Sequence, residues 1–71
     1  MENNWVKRSF ENAYANMALY ELSNIKEDIE DGFIFLANLT LDFFFNWMKK
    51  CNNEDQAVLI QIYEEEIESL L

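Results

Sequence analysis

The chain has no histidine and no proline, and only one glycine and one cysteine among its 71 residues. Each absence excludes something. Without histidine there is no imidazole to act as general base, and no Ser-His or Cys-His nucleophile pair can be assembled. The single thiol, Cys51, forms no disulfide within the chain. With no histidine to join it, four N and S ligands for a structural zinc cannot be gathered. A di-iron centre of the helix-bundle kind needs Glu-x-x-His pairs and is excluded for the same reason. One glycine is too few for a phosphate-cradling loop. Carboxylate pairs are plentiful, but acid-base work needs a cleft that raises one pKa, and a chain this short has little room for one. The sequence therefore points away from an enzyme and away from any cofactor or metal.

Calcium also fails. Around Asp28–Ile34 the sequence superficially matches an EF-hand loop. Placing Gly32 at the loop glycine, however, puts Ile29 at the third position and Asn38 at the twelfth, where a bidentate Glu is required.

Basic residues are scarce as well: five Lys and Arg stand against fourteen Asp and Glu, for a net charge of −9. Such a chain repels nucleic acid, whose binding rests on neutralising phosphates, and it repels anionic membrane surfaces. It attracts a basic protein surface. The aromatic residues are not interleaved with Lys or Arg, so they do not form a base-stacking platform.

Half of the residues are apolar, a heavy load for one small domain spanning 1–71. Chains below about 70–80 residues usually need a disulfide, a metal or a second copy to complete their stability. With the first two excluded, a homodimer or a docked partner is left. The start of the chain lacks the basic and apolar regions of a signal peptide, and with a lone thiol this sets the expectation of a cytoplasmic protein.

The absence of proline favours long helices, and three segments show helical patterning. In the first, from about Asn4 to Leu22, Val6, Phe10, Ala13, Tyr14 and Met17 recur at spacings of three and four. Ala18, Leu22, Ile25 and Ile29 continue the pattern but drift around the helix. Ser23-Asn24, with Glu27 at the capping-box position, marks one possible break; Asp31-Gly32 marks another. The first would give four helices, the second three.

The second segment, Phe33 to Lys50, is the most unusual. Twelve of the sixteen residues from Phe33 to Met48 are apolar. As a helix it has one narrow polar stripe, Asn38, Asp42 and Asn46, continued by Lys49. Residues 38–43 also alternate as a strand would, but they have no obvious strand to pair with, and the helix is preferred. A membrane span is excluded because the run falls short of about 20 residues and contains Asp42. A helix that is apolar nearly all round must be covered on most sides. Phe35, Phe43, Phe44, Phe45, Trp47 and Met48 are therefore assigned to the core together with a self or partner interface.

The third segment starts at Asn53, read as an N-cap, with Gln56 at the capping-box position and Glu54 and Asp55 on the positive end of the dipole. Leu59, Ile60, Tyr63, Ile67, Leu70 and Leu71 form its apolar face. Glu64, Glu65, Glu66 and Glu68 crowd its last turns, where negative charge opposes the dipole and no basic residue lies three or four positions away. With Glu27, Asp28, Glu30 and Asp31, they make up the outward acidic surface.

The expected fold is thus an all-α bundle of three helices, or four, completed by homodimerisation or a partner. In size and charge the chain resembles, as a class only, the small acidic helical proteins of phages and mobile elements, anti-CRISPR proteins among them. No motif matches a particular family. Three functions follow: an inhibitor or modulator that covers a basic, nucleic-acid-binding surface of a larger protein; an antitoxin, immunity or adaptor module that binds through its aromatic middle helix; or a homo-oligomeric structural or regulatory protein.

Overall fold

The computed structural model describes residues 9–70. They form α1 (Ala13–Glu30), α2 (Ile34–Met48) and α3 (Asn53–Glu66), followed by a short 3-10 turn at Glu68–Leu70. No strand occurs among the described residues, so residues 38–43 are helical. The radius of gyration, 11.3 Å, matches the value of about 11 Å for a compact chain of this length.

The first helix starts later than its apolar spacing predicts. Asn12 caps it: the side chain accepts a hydrogen bond from the Tyr14 backbone N–H at 2.8 Å. Asn16 then fixes the preceding segment in a non-helical path. Its Oδ1 accepts from the Phe10 N–H at 2.8 Å, and its Nδ2 donates to the Phe10 carbonyl at 2.9 Å. The predicted helical residues 4–8, including Val6, lie outside the described residues.

No break occurs at Ser23-Asn24. The Ser23 hydroxyl donates to the Tyr20 carbonyl at 2.7 Å, so the side chain is satisfied within the helix. The stop falls at Asp31-Gly32. There the Phe33 N–H reaches the Asp28 carbonyl at 2.7 Å, and the Gly32 N–H reaches that of Ile29 at 3.1 Å. These two bonds form a Schellman motif, with Gly32 at φ 85° in the left-handed position. The resulting tight turn sends α2 back along α1.

The buried face of α1 follows the later part of the predicted spacing, Ala18, Leu22 and Ile25, and departs from the earlier part. Ala13, Tyr14 and Met17 are exposed, whereas Ala15, Ala18, Leu19, Leu22 and Ile25 are buried. Ala15, Ala18 and Ala37 of α2 are almost fully covered. Small side chains on the buried side of each helix permit close packing of the two.

Between α2 and α3 the chain needs only four residues. Asn52, not Asn53, is the N-cap, and its side chain accepts from the Asp55 N–H at 2.8 Å. Gln56 consequently falls one place beyond the capping-box position, and its amide donates instead to the Cys51 carbonyl at 2.9 Å. In α3, Leu59 and Ile62 are buried along with Ile67 just beyond it, while Ile60 and Leu70 are exposed. Leu71 lies outside the described residues. Phe44, Leu22, Ile25, Leu59 and Ile67 are the largest fully buried side chains, and together they join all three helices in one core.

Candidate protein-binding surfaces

The six residues assigned to core and interface divide three ways. Phe44 is fully buried and Met48 nearly so; both are core, and neither is placed to touch a partner. Phe45 and Trp47 are half-buried. Phe35 is 78% exposed and Phe43 59%.

The half-buried pair has clear packing roles. Phe45 meets Tyr63 of α3 edge-on at 5.7 Å between centroids, and Phe44 stacks on the same ring at 5.9 Å. These aromatic contacts fix α3 against α2. Trp47 stacks on Tyr14 at 5.9 Å and ties the end of α2 to the start of α1. The Lys50 ammonium sits over both rings, 5.2 Å from Tyr14 and 5.3 Å from Trp47.

Phe35, Leu39 and Phe43 recur at i, i+4 and i+8, so they line one stripe of α2, with Leu36 beside it. All four are at least 46% exposed. At the start of the helix, Gly32 to Leu36 border a concavity of about 440 Å³ with apolar walls. Leu36 and Leu39 were not singled out from sequence. Their exposure depends on which arc of α2 the core takes, and that arc is the one carrying Ala37, Phe44 and Met48.

The acidic residues are also unequal. Glu64, Glu65 and Glu68 are exposed, but Glu66 is half-buried and bonds to Lys26 Nζ at 3.3 Å. Lys26 lies forty positions earlier in the chain, on the buried side of α1. The lack of a basic neighbour within one helical turn is thus answered by tertiary packing. Glu65 accepts a bond from the Gln61 amide at 3.0 Å. Of the α1 group, Glu27, Glu30 and Asp31 are exposed and Asp28 is half-buried.

The fold brings some of these carboxylates together. Glu30 from α1 and Glu65 and Glu66 from α3 line one groove of about 480 Å³, with Lys26, Ile29 and Leu70. A second, more polar groove at the opposite end collects Glu11, Glu54 and Asp55 beside Asn12 and Asn52.

Titratable groups near the core are few. The Tyr63 hydroxyl is pushed up by burial, then by Glu68 and Glu64. Cys51 is buried, and its Sγ lies 3.6 Å from the Trp47 carbonyl. Burial, helped by Asp55, raises the thiol pKa. The thiol is thus not an activated one, despite the adjacent Lys49 and Lys50. Among the described residues, no group of three or more His, Cys, Asp or Glu is placed to hold a metal ion, and no helix is long and apolar enough to cross a membrane.

No protein-family model, curated protein or solved structure matches the chain.

Proposed function

We propose that this chain is a non-catalytic modulator that binds a larger protein through that partner's basic surface. The observation that carries the reading is the groove between the ends of α1 and α3. Glu30 and Glu65 rim it, while Ile29 and Leu70 supply apolar wall. A Lys or Arg has an aliphatic stem and a charged head, and such a groove suits both parts. The net charge of −9 adds long-range attraction for a basic partner. A surface that ordinarily meets nucleic acid has this character, so occluding one is the mode of action we assign. Glu66 serves the fold here, through Lys26, and Glu30, Glu64, Glu65 and Glu68 remain to face the partner.

The test is affinity purification from the native host, comparing the wild-type chain with Glu30→Lys/Glu64→Lys/Glu65→Lys. The wild type should retain a protein with a basic surface, release it as salt rises, and lose it on charge reversal. Retention that ignores both salt and charge reversal would exclude this reading.

A second reading is favoured by the exposure of Phe35 and Phe43: an antitoxin, immunity or adaptor module that docks through α2. Its complex would tolerate salt and be lost with Phe43→Asp.

A further inference from the structure

The acidic groove leaves the bare face of α2 unexplained. We propose that a second copy of this chain covers it, in a two-fold antiparallel pairing of the α2 helices centred near Leu39. The surface used is separate from the acidic groove, so this inference stands or falls independently of the function proposed above.

Area is the first argument. Phe35, Leu36, Leu39 and Phe43 share one face of α2 and are each 46–78% exposed. Together they leave roughly 400 Å² open, taking a large side chain as about 150–250 Å². A two-fold pairing would cover that face on both copies and bury about 800 Å² in all, the size of a weak interface below about 1,200 Å².

Geometry is the second. The stripe Phe35, Leu39, Phe43 is symmetric about its middle member. Turned through a two-fold axis near Leu39, it sets Phe35 of one copy against Phe43 of the other and the two Leu39 side chains together. The three stripe positions are apolar, and the polar row Asn38, Asp42 and Asn46 runs directly beside them, three residues on from each. Phe45, which meets α3, lies well round α2 from it, so a second copy can approach without displacing α3.

Charge fixes the direction. Acidic residues precede α2, with Asp28, Glu30 and Asp31 leading into its first turn; basic residues follow it, Lys49 and Lys50. An antiparallel pair puts the lysines of each copy beside the acidic turn of the other, and opposes the helix dipoles favourably. A parallel pair would set acid against acid, in a chain that already carries −9.

Sedimentation equilibrium of the full chain at micromolar concentration tests the association. The wild type should show twice the 8.5 kDa chain mass. Leu39→Asp, at an exposed position that leaves the far-UV circular dichroism unchanged, should weaken the dimer by roughly thirtyfold or more. Direction is tested in a Cys51→Ala background. Leu39→Cys should cross-link to itself on oxidation, and a mixture of Phe35→Cys with Phe43→Cys should cross-link better than either alone. A wild type of single mass would overturn the proposal, as would a Leu39→Asp dimer of undiminished affinity. So would Phe35→Cys linking preferentially to itself. A monomer whose α2 face instead holds a different protein would leave the docking-module reading in its place.

Discussion

At the scale of single residues, adjacent positions in α2 do opposite things. Phe44 fills the centre of the core, while Phe43, its neighbour in sequence, is mostly in solvent. Phe44→Ala should cost about 3–5 kcal/mol, as much as the core of so small a fold supplies. The variant should therefore show no cooperative thermal transition by circular dichroism, whereas Phe43→Ser should keep its helical spectrum. A folded Phe44→Ala would contradict the placement of the core. From sequence the two phenylalanines look alike, because a helix that is apolar on nearly every side does not reveal which arc faces inward. The deciding information lies on the other helices that α2 packs against, such as Tyr63 of α3, which Phe44 stacks on.

Residue chemistry also sets a pH dependence. Burial and Asp55 raise the Cys51 pKa, and burial, Glu68 and Glu64 raise that of Tyr63. Both groups hold their protons more tightly in the folded chain than in the unfolded one. Their contribution is intact below the ordinary thiol value of about 8.5 and is lost as pH rises through the raised folded values, because the unfolded chain ionises first. The Tm should fall progressively above that pH, and Cys51→Ala should remove the earlier part of the decline. A Tm that is flat through the alkaline range would contradict the assignment.

At the scale of elements, the helices were legible and their ends only partly so. Three helical segments follow from spacing and from the lack of proline, but the sequence leaves the end of the first open between Ser23-Asn24 and Asp31-Gly32, and the structure places it at the latter. Ser23-Asn24 misleads because a serine hydroxyl can bond back into its own helix, as Ser23 does to Tyr20. The early start assigned to α1 fails at Phe10, which Asn16 holds outside the helix. Side-chain to backbone bonds of this kind leave no periodic trace. The N-cap of α3 is misplaced by one residue for a related reason: Asn52 and Asn53 are chemically identical candidates, and only the backbone path separates them. Gly32 offers the sharpest test. A Cβ there would meet nothing within 4 Å, so the cost of Gly32→Ala is purely that of the left-handed backbone. It should lower stability by about 1–2 kcal/mol in urea denaturation; an unchanged midpoint would refute the role of the Schellman turn.

At the scale of the whole molecule, three short helices do not enclose all the apolar side chains, and the largest share of the surplus, Phe33 to Leu36 with Leu39 and Phe43, lies on or just before α2. The abundance of apolar residues was legible, and so was the acidity. Their arrangement was not. That Glu30 and Glu65 meet across a groove, while Glu66 turns to Lys26, depends on how α1 and α3 lie together. One face of α2 is open and apolar, and the groove between the ends of α1 and α3 is rimmed by carboxylates, so the self-association and the partner binding proposed above would use separate surfaces. Hydrogen exchange on the chain with and without its captured partner distinguishes them most directly. Partner binding through the acidic groove predicts new protection at the end of α1 and from Gln61 to Leu70, with residues 35–43 unchanged. New protection confined to residues 35–43 would contradict it.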